Sequence, residues 1–559
     1  MTADVRPSAR RWMWLAAVML MVAQFLVFDR MTSQHHASVY PRWNDQIQYL
    51  RESYTAYEQA QTHGLAAGLK FTLTKPALQG TLHDFFALLA FRVVGSASRS
   101  AALSLNLLVF LVWQATLLAV ISRLSRSAAV GWMGFGLLLC VAWPWSAEAA
   151  SAVDFRLDHG AMCLMGITAC VALLTGGFRH LGWSVVFGLA VGVTLLERFL
   201  TGAYFAVIFF ATAVWILGGD AKGLRWRNLL LAALTAAVLA GPMFWFNRTT
   251  IYNYYWVGHV AGAEAAARLR AMDHWGAVKF VFGNLAGMQL GRFFGWVVAV
   301  LTVLLLALAA LLRKPAAGSG PGRDWLFFAL AFLLLPGAVL WVHPQKSEFV
   351  LGVLVPGAVL LVLWIWAILW QRIDFSAGRS WRRLVPIALA LGAVGAGETY
   401  FVSRQLAPAH SPEFLASARK VNVIADYIYA SAHAAHLPNP VIGVDQIVDF
   451  LDAQILEVVC YERHKVWTPY AIELPQGILG EKDDLIFYRL KTCDYFFLTD
   501  SMPGDGYWPY DKQMLRLYPQ LKQWCEAHLR RVQTFDIFGR QITLYQRPEI
   551  PRSLPAASP

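Results

Sequence analysis

Apolar runs of roughly 17–22 residues recur along this chain, and that is the length an α-helix needs to cross about 30 Å of hydrocarbon. Across all 559 residues, 57% are hydrophobic and the mean hydropathy is +0.47. A single water-soluble core of that composition would lack the polar residues to coat it, so a bilayer is the natural solvent for most of the chain. The runs do not alternate with period two as barrel strands do, which makes the spans helical.

The first run, Trp12 to Phe28, follows Arg6, Arg10 and Arg11. It reads as an uncleaved anchor, because the bulky, charged Phe28-Asp29-Arg30-Met31 that follows is no cleavage site. Further spans are expected near 100–121, 129–145, 160–176, 182–196, 201–217, 229–246, 294–312, 325–341, 349–370 and 384–402, about eleven in all. The run 182–217 is interrupted by Glu197 and Arg198, and as one straight helix it would be about 54 Å long, so it must turn back. A tip at Glu197-Arg198 also keeps both charges out of the hydrocarbon, where each would cost about 2.5–3.5 kcal/mol. With that turn, every segment on the N-terminal side of the membrane is basic: Arg6–Arg11, Arg123/Arg126, Arg179, Lys222/Arg225/Arg227, Arg313/Lys314/Arg323 and Arg372/Arg379/Arg382/Arg383. Excess Lys and Arg marks cytoplasmic loops, so the expected topology is N-terminus in, C-terminus out.

Residues 1–408 thus form a transmembrane domain, and 409–559, where the composition becomes soluble-like, an extracytoplasmic α/β domain. In the latter, Ser411-Pro412-Glu413 opens a helical pattern, VIGV and DYFFLTD read as strands, helices fall near 460, 481–491 and 511–530, and VQTFDIF–GR–QITLYQ reads as a hairpin. In the first outer loop, Thr81–Val94 sets Leu82, Phe85, Phe86, Leu89 and Val93 on one face, the pattern of a helix lying in the interface. The net charge of +12 is spread over short loops rather than gathered in one stripe, which argues against a nucleic-acid partner. Cys140, Cys163 and Cys170 fall in apolar spans, whereas Cys460, Cys493 and Cys525 allow one disulfide in the outer domain.

The polar residues that could do chemistry fall on the outer side. Asp45, in PRWNDQIQYL, is either a base desolvated among aromatic residues or the cap of a helix beginning at Gln46. Lys75, in TKPALQGTL, is either a partner for a lipid phosphate or a snorkelling lysine. Asp154 and Asp158, in SAVDFRLDHGAM, are four apart on one helix face with Arg156 between them, a pair able to orient an acceptor or bind a divalent cation. Lys346, in WVHPQKSEFV, sits in a short outer loop where an anionic headgroup could meet it. Arg198, Arg248 and Arg292 read as helix-end anchors on the same side. No P-loop, zinc signature or nucleophile elbow is present.

In their order and sidedness, WNDQIQY, TKPALQGTLHDFFALLAFRVVG, FRLDHGAM and HPQKSEFVLGVLVP resemble the C-type (GT-C), polyprenyl-phosphate-sugar-dependent glycosyltransferases, the superfamily of protein O-mannosyltransferases and the lipid A aminoarabinose transferase. The resemblance covers roughly residues 10–400 by layout. It implies a membrane glycosyltransferase of the cell envelope that moves a sugar from a polyprenyl-phosphate donor to an extracytoplasmic glycan, lipid or protein acceptor with inversion. It implies Asp45 as catalytic carboxylate with Asp158 and Asp154 beside it, and Lys75, Lys346, Arg198 and Arg292 toward the donor phosphate. It further implies a multi-pass protein of the bacterial inner (plasma) membrane with its site facing the periplasm or exterior. Relatives often carry two adjacent acidic residues in the first loop, whereas here Asn44 precedes Asp45. A transporter or lipid flippase, or a non-catalytic envelope assembly protein, are the competing classes; the first needs charges at mid-span, and very few are present.

Overall fold

The computed structural model describes residues 7–37, 39, 44–268, 272–312, 322–375, 380–407, 410–445, 451–465, 470–477, 479–499, 509–537 and 539–552. Arg6, Arg313, Lys314 and Arg379, most of the PAAGSGPG loop and the domain boundary expected at 408/409 lie outside them.

Eight helices among the described residues are long and apolar enough to cross a membrane: Arg11–His35, Arg99–Ser125, Leu157–Leu174, Lys222–Phe246, His274–Leu311, Arg323–Val342, Glu348–Gln371 and Leu384–Leu406. Three more expected spans are present as apolar helices of 12, 17 and 17 residues, Ala128–Leu139, Leu181–Glu197 and Thr201–Leu217. At about 1.5 Å per residue these reach only about 18–26 Å. The bundle core is built from Phe110, Trp113, Leu117, Phe328, Leu363 and Trp366. Outward-facing positions are equally apolar, among them Leu15, Met19, Val22 and Leu26 on the first helix and Trp296, Val300 and Val303 further along. A surface of that kind is stable only against lipid, and the chain is an integral membrane protein.

The interfacial helix is present as Leu82–Val94. His83, Asp84, Ala87, Leu88 and Phe91 are buried, while Phe86 and Val93 of the apolar face are exposed. The buried face mixes polar His83 and Asp84 with apolar residues, and the exposed one carries Phe86, Val93 and Val94 beside Arg92; exposed apolar side chains of that kind suit contact with lipid. Before it lie Asn44–His63 and Leu65–Thr74, packed on each other and on Leu82–Val94.

A five-stranded sheet closes the chain: β1 (Val441–Asp445), β2 (Tyr470–Leu474), β3 (Tyr495–Thr499), β4 (Arg530–Ile537) and β5 (Arg540–Gln546) in the order β2-β1-β3-β5-β4. β1 runs parallel to both β2 and β3, and β5 runs antiparallel to β3 and β4. Helix Pro412–Ala434, capped by the Ser411 hydroxyl on the Phe414 amide at 3.1 Å, and helix Ala453–His464 pack with it. All six cysteines are buried free thiols, so the disulfide allowed among Cys460, Cys493 and Cys525 does not form. Buried thiols of this kind pack as small hydrophobes, and those of Cys163 and Cys493 also meet His159 and the Arg489 carbonyl.

Candidate functional site

The site forms where helix Asn44–His63, the segment 146–156, the turn at 197–200 and the segments 252–261 and 339–350 meet. Asp45 lies in the first turn of Asn44–His63 and Asp158 in the first turn of Leu157–Leu174. The helix begins at Asn44, so Asp45 is within its first turn and not the cap of a helix starting at Gln46.

Arg156, whose role the sequence does not reveal, is the hub. Its guanidinium lies 2.8 Å from Asp45 Oδ2, 3.3 Å from Asp158 Oδ2 and 3.9 Å from Asp154 Oδ2, and it stacks over the Phe349 ring at 4.4 Å from the centroid. Burial by itself would weaken its hold on the proton; Asp45, then Asp154, outweigh that and keep the charge in place. The other oxygen of Asp158 is paired with Arg198. That arginine is buried at the 197–200 turn, not exposed as a helix-end anchor.

Asp154 is held differently. Gln46 Nε2 donates to one oxygen and the Ala150 amide to the other, and Asn106 Nδ2 donates to its carbonyl at 2.9 Å. Burial pushes its carboxyl up to about 6, against the pull of Arg156. Of the three carboxylates only Asp45 is open, with 43% of its side chain exposed against 6% and 4% for Asp154 and Asp158.

Asp45, Arg156 and Arg198 line one cavity of about 110 Å³, together with Gln79, Tyr204, Tyr254, Tyr255, His259, His343 and Phe349. Gln79 Nε2 donates to the Tyr254 hydroxyl at 2.6 Å. The tyrosines and His259 are residues that sequence reasoning passes over. Tyr252–Ala261 is wound as a π-helix, so NYYWVGHVA shows no 3.6-residue period, although a Tyr-Tyr pair near a histidine between two apolar spans is a signal of its own. The turn at the far wall is pinned to residues 79–81: Thr81 N donates to Leu196 O at 2.8 Å and Phe199 N to Gln79 O at 2.6 Å. A side chain at Gly80 would land on the Glu197 carbonyl. Glu197 Oε1 meets His83 Nδ1 at 3.1 Å.

The remaining expected cations are placed apart. Lys75 does not line the cavity; its ammonium is buried between Glu52 and Asp84. Burial would lower it, but Asp84 and Glu52 together hold it raised. Arg292, in the first turn of Gly291–Leu311, is exposed and outside the lining. Lys346 is not in the lining either, but Leu340, His343, Gln345 and Ser347 around it are. Its ammonium donates to Leu340 O at 3.0 Å, Trp341 O at 2.7 Å and His343 O at 2.5 Å. Carbonyls orient a cation without cancelling its charge, and no carboxylate pairs with it among the described residues.

Asp154 and Asp158, the pair considered from sequence for a divalent cation, are already engaged by protein donors. Both oxygens of Asp158 face guanidinium groups and both of Asp154 accept from protein donors. Among the described residues no three His, Cys, Asp or Glu groups converge to ligate a metal.

This helical core, with the helices between Asn44 and Val94 and the terminal sheet, has the fold of the C-type glycosyltransferases. The chain superposes on the crystal structure of ArnT from Cupriavidus metallidurans with a TM-score of 0.55 and 13% identity, covering 96% of this chain and 98% of that one. It superposes on the arabinofuranosyltransferase AftD from Mycobacteria with a TM-score of 0.50 and 13% identity, covering 96% of this chain and 40% of AftD. In sequence, no protein-family model and no curated protein matches it.

Proposed function

We propose that this chain is a membrane glycosyltransferase that moves a sugar from a polyprenyl-phosphate donor to an extracytoplasmic acceptor with inversion, with Asp45 as the base. The observation that carries this reading is the asymmetry of the three carboxylates: Asp154 and Asp158 are enclosed by donors, whereas Asp45 opens on the cavity with one oxygen steadied by Arg156. A carboxylate so oriented can take the proton of an acceptor hydroxyl or amine as that group attacks the anomeric carbon. The bond to the lipid phosphate breaks in the same displacement, and the leaving group departs already anionic, needing no general acid.

Developing charge on that phosphate requires fixed cations, and Arg198 and Lys346 supply them at the cavity. Lys75, compensated by two carboxylates, braces the first outer loop in this reading. The eleven-span, N-in arrangement belongs to the same proposal. It puts the cavity on the outer face, where a nucleotide sugar is absent and a lipid-carried donor is the one at hand. The acceptor class, a glycan, lipid or protein, is open to whatever presents a nucleophile to Asp45.

The direct test is transfer by purified protein from a panel of polyprenyl-phosphate sugars, with Lys346→Met beside wild type. Weaker donor binding with the protein still folded is expected. Unchanged donor affinity in Lys346→Met and in Arg198→Gln would remove the phosphate assignment.

A further inference from the structure

We propose that the α/β unit is a clamp on helix Asn44–His63 that sets the position of Asp45, working through Glu457 and Tyr461; this rests on the reading of Asp45 as the reacting carboxylate. One helix carries both ends of the argument. Its first turn holds Asp45 at the cavity, and its middle, from Arg51 to Tyr57, is gripped from outside.

The grip is specific. Arg51 Nε meets Glu457 Oε2 at 2.6 Å, and Glu457, on helix Ala453–His464, is buried and also accepts from the Ala471 amide of β2 at 3.2 Å. The Tyr54 hydroxyl donates to Glu462, and its fully buried ring lies 5.5 Å from both Phe91 and Tyr461, stacked on the latter at 30°. The apolar core is shared as well: Ile47, Leu50 and Tyr54 of the helix belong to one cluster with Leu456, Val459, Ile442 and Val444 of the sheet unit. Deeper in, Ser53 donates to Asp84 at 2.9 Å and Glu52 pairs with Lys75.

The geometry has a mechanical consequence. Arg51 stands six residues from Asp45, about 9 Å along a rigid helix. A helix does not bend over so short a span without a break in its hydrogen bonds, so a shift at Arg51 and Tyr54 is passed to Asp45 undiminished. Misplacement of a reacting group by about 1 Å costs on the order of 10²-fold in rate. Glu457 and Tyr461 are therefore positioning residues, distant from the reacting atoms, and whatever binds the α/β unit gains a hold on transfer.

The experiment uses the full-length protein with Arg51→Ala, Tyr461→Leu, Glu457→Ala and Glu457→Gln beside Asp45→Asn. Transfer is resolved into kcat and donor KM, and hydrogen exchange is followed over residues 46–54. The first three variants are expected to lose about 10–100-fold in kcat with KM near wild type, and to exchange faster over 46–54. Glu457→Gln keeps one acceptor oxygen, enough for the Ala471 amide or for Arg51 but not for both, and is expected to lose less than Glu457→Ala. Arg51→Ala leaves the buried Glu457 without its cation, so its melting temperature is read beside kcat. Wild-type kcat and protection in Arg51→Ala and Tyr461→Leu, with Asp45→Asn inactive, would overturn the clamp alone. Normal turnover in Asp45→Asn would instead remove the reading on which it rests.

Discussion

Arg156 and Arg198 decide what Asp158 is. Both of its oxygens rest on guanidinium groups in a buried setting, and breaking such a pair from one side leaves a charge without its partner, at a cost of about 3–5 kcal/mol. Arg198→Met is therefore expected to lower thermal stability by an amount in that range in detergent, and Arg198→Lys by clearly less, since it keeps the charge. Equal melting temperatures for wild type and Arg198→Met would show that Asp158 is satisfied by Arg156 alone. Asp154 carries a pH signature. Its folded-state pKa of about 6 lies above the usual 3.8, so the native state holds the proton more tightly than the unfolded chain does. The stabilisation from that proton is full below pH 3.8 and is lost as pH rises through about 6, a change of about 3 kcal/mol at most. Asp154→Asn should flatten the stability profile between pH 4 and 6, as followed by thermal unfolding at a series of pH values. At this scale the sequence is half legible. The three aspartates stand out because charge is rare in such a chain, but Arg156 does not, because a lone arginine between two aspartates looks like local neutralisation until the fold wraps Asp45 onto it.

The turn between Leu181–Glu197 and Thr201–Leu217 is the element on which the cavity wall depends. Charge in an apolar run shows that the chain must turn there, and the structure adds why it stays turned: residues 79–81 lie across it with two backbone hydrogen bonds. Gly80 permits that approach. Gly80→Ala would press a methyl group onto the Glu197 carbonyl, a backbone atom that cannot step aside, and is expected to cost about 1–3 kcal/mol. Gly160→Ala meets the Glu197 side chain, which can move at the expense of its contact with His83, so a smaller loss is expected. Thermal melting of the two variants orders them, and the reverse order would contradict the backbone contact. Helices with a strong period and clear ends, such as Leu82–Val94 and Pro412–Ala434, are readable from sequence because one face meets lipid or core and the other does not. The π-wound stretches from Tyr252 to Leu290 are not, since their period departs from 3.6. β2 escapes too: YAIEL is five residues long and acquires its strand identity only by pairing with β1.

At the scale of the whole molecule, polar groups sort to two separate places. Asp45, Asp154, Arg156, Arg198 and Lys346 gather around the cavity. Arg179, by contrast, joins Asp220 at 2.8 Å and Asp324 at 3.1 Å, tying together three loops that the basic-loop count assigns to the cytoplasmic side. That sorting supports the eleven-span proposal, including the short helices whose length alone would not. Cysteine labelling after residues 220 and 450 is expected from opposite sides of the membrane, and labelling of both from one side would contradict it. The central claim is the chemistry of Asp45. Because Asp45 sits inside the first turn of its helix, a cap role does not account for it, and Asn in its place preserves size while removing basicity. The decisive measurement is glycosyl transfer from polyprenyl-phosphate sugars by purified Asp45→Asn, with Asp158→Asn alongside. A fall of about 10²–10⁴-fold with the protein folded and donor still bound is the expected result; turnover near wild type in Asp45→Asn would contradict the account.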